Sequence, residues 1–362
     1  MQNALYHPEK GYYTKNIKDV GARGDFSTSA TLSQSLAKAI AKEIISYASE
    51  QEHDSRIDVI ECGAGNGQLM VDIGAALELL LPKTLLKHIH FHIIEVSPTL
   101  QQKQKNLLQK NILFPLFRKK WQSRITWHHS INDALELCNG KAFIYHNEFV
   151  DAFPVRVFRL MENSVTNSPT NPTWHELYIT KSDKFLTESW EQIDAITSSQ
   201  ILSEVRPSIT TSLLENPSIN EQSSISIDSS IQHIEIPCSY FDWLKELANC
   251  WDKGRMLTID YGDTFPAVYH RRPQGTLRAY AMHQRLTGHE IYQNPGHQDI
   301  TFDVNFTDLM HWGESLGFQH QSYLTQREFI SQHLPDKGDH TLITEVEGAG
   351  DAFKVLIQHQ ES

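Results

Sequence analysis

Hydrophobic periodicity in the first third of the chain predicts a strand, a tight turn and a helix. The β-branched run at residues 57–60 favours a strand, and apolar residues at helical spacing follow over residues 69–80. A second apolar run at residues 89–94 predicts another strand. Ser97 and Pro98 come directly after it, a helix-capping residue followed by one suited to a first helical turn. Together these segments predict a β-α-β unit.

The same kind of pattern extends across most of the chain. Apolar residues at helical spacing from Leu32 to Ile44 predict an earlier helix, with Ser29 as its cap. Continuous apolar runs, without the alternation of half-exposed strands, are typical of parallel strands that are covered on both faces. Three further runs of this kind lie at residues 125–127, 142–145 and 256–259. The pattern therefore predicts an open, doubly wound α/β sheet.

The connection between the last two of these strands is far longer than the roughly 4 to 6 residues of an ordinary loop, which predicts an insertion. Residues 155–158 and 174–179 favour an antiparallel ribbon, the Ser-rich residues 198–230 favour a surface loop, and Tyr240 to Trp251 favour a helix. The predicted organisation has three parts: an N-terminal segment over the ligand site at 1–55, an α/β core at 56–150 and 252–362, and an inserted α+β region at 151–251.

Composition excludes several classes of function. The net charge of -12 disfavours a nucleic-acid binder, and no apolar run approaches the roughly 20 residues of a membrane-spanning helix. Four scattered cysteines form no C-x-x-C pair, and the histidines show no H-E-x-x-H spacing, so we expect neither a disulfide framework nor a metal. The first residues lack the pattern of a secretory or transit signal, which favours a cytoplasmic location.

The glycine-rich turn after the first predicted strand is the strongest candidate for a binding site. Gly63, Gly65 and Gly67 allow backbone conformations and close ligand approach that a Cβ would prevent. Glu95 ends the next strand, where a carboxylate accepts hydrogen bonds from ribose hydroxyls. Nicotinamide and flavin sites use G-x-G-x-x-G, which would need glycine at Gln68. The observed G-x-G-x-G spacing favours S-adenosylmethionine as the cofactor.

A second polar group follows the predicted strand at residues 142–145. Asn147, Glu148 and Asp151 would lie at the carboxyl edge of the sheet, where open α/β proteins bind ligands. Two carboxylates there would hold a guanidinium and orient one nitrogen for methyl transfer. The alternative is that Asn147 and Asp151 only cap and brace the turn before Pro154.

Short segments spread over nearly the whole chain resemble the MidA family of class I S-adenosylmethionine-dependent methyltransferases. The segments that carry the resemblance are Tyr6-His7-Pro8, Gly11-Tyr12-Tyr13, Gly24-Asp25-Phe26, Glu61 to Gly67, Glu95-Val96-Ser97-Pro98, Asn147-Glu148-Phe149, Asp151-Ala152-Phe153-Pro154, Asp260-Tyr261-Gly262, Gly275-Thr276-Leu277-Arg278 and Pro295 to Thr301. The resemblance implies a Rossmann-like, seven-stranded class I methyltransferase fold with an added region. For mitochondrial members it implies protein arginine methylation linked to assembly of respiratory complex I.

The resemblance also assigns expected roles to single residues. Glu61 and Ser97 join the expected cofactor contacts, Asp25 and Phe26 are expected to fold over the cofactor, and Tyr261 is expected to line the acceptor channel. We expect residues 295–306 to form a loop that enters a helix around Leu309, and the sequence assigns no chemistry to them.

The resulting hypothesis is a methyltransferase that acts on a protein, on arginine, with Glu148 and Asp151 orienting the acceptor. A respiratory-complex protein is the substrate class implied by the resemblance. Three alternatives stay open. They are methylation of a small molecule, hydroxyl or carboxyl group, a non-catalytic assembly factor that binds the cofactor for stability, and a nicotinamide-dependent oxidoreductase, which the glycine spacing disfavours.

Overall fold

The computed structural model describes residues 1–17, 34–52, 54–110, 121, 123–161, 173–182, 185–200, 232–281, 284–335 and 349–361. The strands are β1 (Ile57–Cys62), β2 (Ile89–Ile94), β3 (Ile125–His128), β4 (Lys141–Asn147), β5 (Arg156–Met161), β6 (Thr173–Ser182), β7 (Phe185–Gln192), β8 (Ile234–Ile236), β9 (Lys253–Asp263), β10 (Arg278–Ala281), β11 (Gln284–Leu286), β12 (Asp299–Thr301), β13 (Val304–Asn305), β14 (Gln319–Thr325) and β15 (Phe353–Glu361).

The α-helices are α1 (Gln2–Tyr6), α2 (Gln34–Ser49), α3 (Gln68–Leu80), α4 (Lys83–Leu86), α5 (Pro98–Lys110), α6 (Ile131–Leu137), α7 (Ala195–Ser199), α8 (Cys238–Ala248), α9 (Phe306–Ser315), α10 (Gln326–His333) and α11 (Ala349–Ala352). Single turns of other helix types lie at Tyr12–Asn16, Val150–Ala152, Ala267–Tyr269 and Gly288–Tyr292. In the part of the chain that the structure describes, no helix combines the length and the apolar character that a bilayer crossing requires.

Seven strands form the main sheet in the order β14-β15-β9-β4-β1-β2-β3, and β13 adds to the end of β9. β15 runs antiparallel to both of its neighbours, while β3, β2, β1, β4 and β9 are parallel. The chain leaves β1 toward one edge and returns to β4 on its other side. This reversal opens a crevice at the carboxyl ends of β1 and β4, where doubly wound sheets bind ligands. The predicted seven-stranded, doubly wound fold is confirmed.

Both faces of the sheet are covered, which explains the continuous apolar runs of its central strands. All six residues of β1 are buried. α2, α3 and α10 pack on one face through a large apolar cluster that includes Ile40 and Leu77. α6, α8 and α9 pack on the other face around Tyr240 and Trp312.

The segment between β4 and β9 forms a separate antiparallel sheet in the order β7-β6-β5-β8. The ribbon predicted there is confirmed by the pairing of β5 with β6. The helix predicted to reach Trp251 ends earlier, at Ala248. Trp251 instead lies in the following turn, fully buried, and its indole Nε1 donates to the carbonyl oxygen of Ala142 at 3.1 Å. The predicted Ser-rich loop falls largely outside the described residues, as do the helix cap Ser29 and Leu32.

A second excursion follows β9 and forms a three-stranded sheet in the order β11-β10-β12. The expectation that residues 295–306 form a loop was wrong for residues 299–301 and 304–305, whereas the helix expected around Leu309 is confirmed by α9. Asp299 to Thr301 pair with β10, Val304 pairs with β9, and the Asn305 side chain then caps α9 by accepting from the Thr307 N–H. These strands are three and two residues long, too short to show a period in the sequence.

Candidate active site

A cavity of about 960 Å³ opens at the carboxyl ends of β1, β4 and β9. The glycine turn, Glu61 and Glu95 line one end of it, and the loop after β4 lines the middle. The far wall comes from three other parts of the chain: the N-terminal segment, Tyr261 at the end of β9, and the three-stranded sheet. The cavity therefore brings together most of the site residues predicted from the sequence. Asp25 and Phe26 lie outside the described residues.

The glycine turn has the backbone that its sequence predicts. Gly63, Gly65 and Gly67 have φ values of +68°, +55° and +83°, in the left-handed region that favours glycine. A Cβ on Gly63 would lie 2.8 Å from Cδ2 of Phe149, closer than side chains pack. Because the turn carries no side chains at these positions, its backbone and the start of α3 are open to a polar ligand.

Glu95 is a buried carboxylate at the end of β2 with two fixed hydrogen bonds. Its Oε1 accepts from the Ser97 N–H at 2.9 Å, and its Oε2 accepts from Gln104 Nε2 at 3.2 Å. The same Gln104 nitrogen donates to the carbonyl oxygen of Gly65 at 2.9 Å, which ties Glu95 to the glycine turn. Burial raises the pKa of Glu95 to about 7.

Ser97 lies behind Glu95 and contacts it through the backbone. Its own hydroxyl accepts from the Leu100 N–H at 3.4 Å and caps α5, the role that its position before Pro98 predicts. Ser97 is fully buried, so it supports the carboxylate through its backbone and starts α5 with its side chain.

Glu61 is the second carboxylate at this end of the cavity. Its Oε2 is buried and makes no hydrogen bond of good geometry among the described residues, although the Tyr145 hydroxyl lies close to the carboxylate. Burial raises the pKa of this group to about 8. A buried acceptor without a well-formed hydrogen bond costs free energy, which a donor on a bound ligand would offset.

The loop after β4 is held in place by Asp260, which the sequence analysis named only within a family segment. Its Oδ2 accepts from the N–H groups of Phe149, Val150 and Asp151 at 3.2, 3.0 and 3.3 Å. Asp260 therefore braces the turn, the task that the sequence offered as an alternative for Asn147 and Asp151.

Asn147 and Glu148 lie side by side where β4 ends. Asn147 Nδ2 donates to Glu148 Oε1 at 3.2 Å, while Asn147 Oδ1 is buried without a partner among the described residues. Glu148 has φ +52°, an uncommon conformation for a residue with a side chain. Residues with such backbone angles cluster at functional sites, where the surrounding structure maintains the strain.

Asp151 is buried, and its two oxygens differ. The Oδ2 atom accepts from the Tyr261 hydroxyl and from Thr301 Oγ1, the latter at 2.7 Å. The Oδ1 atom is buried without a hydrogen-bond partner in the described part of the chain. Burial raises the pKa of Asp151. On the other side of Tyr261, the Arg278 guanidinium lies 4.7 Å from the ring centre and is paired with Asp303.

The N-terminal segment and β12 complete the far wall. The Tyr6 hydroxyl donates to the carbonyl oxygen of Ala152 at 3.0 Å, and the Tyr13 hydroxyl donates to Asp299 Oδ1 at 2.6 Å. The centres of the two phenol rings are 5.5 Å apart. Sequence reasoning assigned no chemistry to these tyrosines, to Asp299 or to Thr301. The signals available were the short polar-apolar-polar pattern of β12 and the family segments that contain these residues.

A separate buried cluster brings possible metal ligands together. Ligand atoms of Asp58, His92 and Cys138 lie within 4.8 Å of one another. Both ring nitrogens of His92 are already engaged, Nε2 with Asp58 at 2.8 Å and Nδ1 with His128 at 2.9 Å. These contacts make the cluster a hydrogen-bonded network between strands, and we assign no metal to it.

Comparison with known proteins identifies a family. Residues 39–324, well over half of the chain, match the model of Methyltransf_28, a family of S-adenosyl-L-methionine-dependent methyltransferases. The curated relatives include "Protein arginine methyltransferase NDUFAF7, mitochondrial" of Danio rerio, 28% identical over 322 residues, and of Homo sapiens, 26% identical over 324 residues. Both alignments cover 85% of this chain, but the chain spans only 66% and 63% of the relatives' lengths.

Solved structures with the same fold include one with a bound cofactor product. A COG1565 superfamily member from Burkholderia thailandensis, crystallised with S-adenosyl-homocysteine, superimposes with a TM-score of 0.75 at 20% identity. The match covers 99% of this chain and 86% of that one, so the shared fold includes the four-stranded and three-stranded sheets as well as the main sheet.

Proposed function

The chain belongs to this family of S-adenosyl-L-methionine-dependent methyltransferases, and from that premise we propose that it transfers the methyl group to an arginine side chain of a protein. The family membership supports the cofactor. The names of the curated relatives and the polarity of the acceptor end of the cavity support the arginine.

The glycine turn and the two acids beside it fit the cofactor. Its ribose hydroxyls would donate to Glu95, and the Oε2 of Glu61 suits the ammonium of its methionine end. The open turn at Gly63 leaves room for its backbone contacts. When bound, the cofactor would supply an electrophilic methyl group, activated by the positive charge of the sulfur that carries it.

The single observation that carries the acceptor assignment is the unpartnered Oδ1 of Asp151. Tyr261 and Thr301 occupy the other oxygen, so the carboxylate is oriented with one acceptor still to be satisfied. Asn147 Oδ1 is a second acceptor of the same kind. A guanidinium carries five N–H donors in a fixed plane and no acceptor, so it complements these oxygens. A hydroxyl or carboxyl acceptor has at most one donor to offer.

The same carboxylate suits the proton that the reaction releases. Methylation of a guanidinium nitrogen forms one N–C bond, breaks one S–C bond and frees one proton. Because burial raises the pKa of Asp151, this carboxylate accepts a proton more readily than an exposed aspartate does. Glu148, at the neighbouring turn, would hold the cation while the nitrogen reacts.

Product analysis tests the proposal. The purified protein is incubated with methyl-labelled S-adenosylmethionine and a lysate from cells that lack the gene, and the protein fraction is hydrolysed to amino acids. We expect the label in methylarginine. Label confined to small molecules, or released by mild base as from methyl esters, would assign the other acceptor classes and overturn the proposal.

Matched variants distinguish residues that bind the cofactor from residues that bind the methyl acceptor. Glu148→Gln keeps the shape of the side chain and removes its charge, so we expect unchanged affinity for S-adenosylhomocysteine and loss of transfer. The control is Glu136→Gln, which removes one charge from an exposed side chain on α6. Transfer that survives in Glu148→Gln at the level of the control would contradict the role of Glu148.

The substrate is proposed by class only. An acidic protein with a net charge of -12 favours a basic partner surface around the target arginine. A protein of a respiratory complex is the first candidate, by the resemblance found in the sequence. A cytoplasmic location stays a prediction.

A further inference from the structure

Helix α5 buries a glutamine between two leucines. Leu100, Gln104 and Leu108 are four residues apart, so they share one face of the helix. All three are buried, and Gln104 is 0% exposed. Burying a primary amide costs free energy unless its two N–H groups and its oxygen have hydrogen-bond partners. The partners of Gln104 therefore indicate what this polar side chain contributes in the interior.

The Gln104 amide is satisfied by three partners from three different parts of the chain. Its Nε2 donates to the carbonyl oxygen of Gly65 at 2.9 Å and to Glu95 Oε2 at 3.2 Å. Its Oε1 accepts from the indole Nε1 of Trp127, on β3, at 3.0 Å. Because an indole N–H only donates and a carbonyl oxygen only accepts, these contacts fix the orientation of the amide. Its two donors therefore point at the glycine turn and at the carboxylate beside it.

Gln104 reaches these partners from behind the cavity. Gly65 and Glu95 line the cavity, whereas Gln104 is not among the described residues that do so. The glycine turn leaves space for the Gln104 side chain, since a Cβ on Gly67 would lie 3.0 Å from its Cγ, tighter than such atoms usually pack. One side chain thus joins the loop after β1 to the end of β2 without occupying the space of a ligand.

The same amide favours the ionised form of Glu95. Burial raises the pKa of Glu95 to about 7, and the Ser97 N–H and the Gln104 amide oppose this rise by donating to the carboxylate. The ionised carboxylate is the form that only accepts, as the contact with ribose hydroxyls requires. Gln104 therefore acts on the orientation of Glu95 and on its charge.

We propose that Gln104 is a positioning residue of the cofactor site, which holds the Glu95 carboxylate and the Gly65 carbonyl in their binding arrangement before the cofactor arrives. Groups that are held in place in advance bind more tightly, because less freedom is lost on binding. The inference rests on the contact proposed above between Glu95 and the ribose of the cofactor, and it is independent of the identity of the methyl acceptor.

A purely packing role for Gln104 makes a different prediction. In that case any change that breaks the buried network would lower cofactor affinity alike at every pH. Trp127→Phe breaks only the bond to Oε1, keeps an aromatic ring on β3 and leaves Nε2 with its two acceptors. Gln104→Met breaks all three bonds with an unbranched side chain of similar length.

The experiment measures the affinity for S-adenosylhomocysteine by calorimetric titration at pH 6, 7, 8 and 9. Wild type, Gln104→Met and Trp127→Phe are compared with Gln102→Met, the same substitution at an exposed position of α5. Thermal unfolding without ligand shows that each variant is folded.

The pH dependence is expressed as the ratio of each variant's affinity to that of wild type. Glu61 of β1 and Tyr6 of the N-terminal segment interact with the charge of Glu95, and His129 after β3 lines the same cavity. These groups are present in every variant, so their own titration largely cancels in the ratio. The remaining pH dependence reports the ionisation of Glu95.

We expect Gln104→Met to weaken binding about tenfold at pH 7 and about threefold at pH 9, because loss of a donor raises the pKa of Glu95. Trp127→Phe and Gln102→Met should stay within about twofold of wild type at every pH. A loss in Gln104→Met that is the same at every pH, or that Trp127→Phe matches, overturns the proposal.

Gln104→Asn provides the same test if Gln104→Met does not fold. It keeps a polar amide but is one methylene shorter, so it cannot hold all three contacts. Its loss of affinity should likewise be larger at pH 7 than at pH 9, and a loss that does not vary with pH overturns the proposal. A wild-type protein that binds no S-adenosylhomocysteine instead overturns the cofactor contacts on which the proposal rests.

Discussion

Cofactor affinity should depend on pH through Glu95. This carboxylate has a pKa raised to about 7, whereas an exposed glutamate is ionised throughout the neutral range. Only the ionised form can accept hydrogen bonds from both ribose hydroxyls without offering a competing proton. The ionised fraction falls from about nine-tenths at pH 8 to about one-tenth at pH 6, so the affinity contributed by Glu95 falls about tenfold, or about 1.4 kcal/mol.

Glu61 titrates in the same range, with a pKa of about 8, and must be separated from Glu95. Glu95→Gln serves this purpose, because the amide keeps an acceptor oxygen and does not ionise. The affinity for S-adenosylhomocysteine is measured calorimetrically at pH 6, 7 and 8 for the variant and the wild type. Any pH dependence that both share belongs to Glu61 or to the ligand.

The test is the ratio of the S-adenosylhomocysteine affinity of wild type to that of Glu95→Gln at each pH. We expect the advantage of wild type over Glu95→Gln to shrink about tenfold between pH 8 and pH 6. A ratio that stays constant over this range would show that Glu95 is ionised throughout, or that it makes no contact with the ligand.

Three further predictions concern other parts of the molecule. Asp151→Asn should keep the affinity for S-adenosylhomocysteine within about twofold and lower methyl transfer at least a hundredfold, within the range of general-base effects, as labelled product formation will show. Gly63→Ala places a Cβ against Phe149 at a left-handed φ and should lower the free energy of unfolding by about 1 to 2 kcal/mol in urea titrations. Burial opposes the charged form of both Glu43 and His333, but the hydrogen bond between them outweighs it. This bond, together with the nearby Arg255, lowers the pKa of Glu43, and the same bond raises the pKa of His333. The stabilisation from Glu43 is lost as pH falls below about 4.5, and the stabilisation from His333 is lost as pH rises above about 6.5. Urea titrations should therefore show the largest joint contribution of the pair between these two pH values. In Glu43→Gln this pH dependence should be flatter.

The cofactor-binding residues could be predicted from the sequence because they lie close together in the chain. The strand, glycine turn, helix and second strand occupy residues 57–94, and Glu95 follows at once. Each element is long enough to show its period, and the turn needs glycine at fixed positions whatever surrounds it. The identification of Asp151 as an acceptor-side residue also followed from its position after a strand end, whereas the role of Tyr261 came from the family resemblance alone.

The other residues on the acceptor side of the cavity could not be predicted, because they are brought together by contacts between segments that are far apart in the sequence. Tyr13 reaches Asp299 across 286 positions of sequence, and Thr301 reaches Asp151 across 150. The pattern of polar and apolar residues around each position does not indicate such contacts. The strand that carries Asp299 is three residues long, and it is defined by its pairing with β10 rather than by its own propensity.

The position of β15 has a consequence for the order in which the molecule assembles during synthesis. This strand follows β14 in the chain but lies between β14 and β9 in the sheet. While the ribosome is still translating residues 353–361, β14 therefore has no place to pair, and β9 has an open edge. Exposed strand edges are prone to pair with other chains. The nascent protein is thus exposed to misassociation at this edge until residues 353–361 are available to pair with both strands.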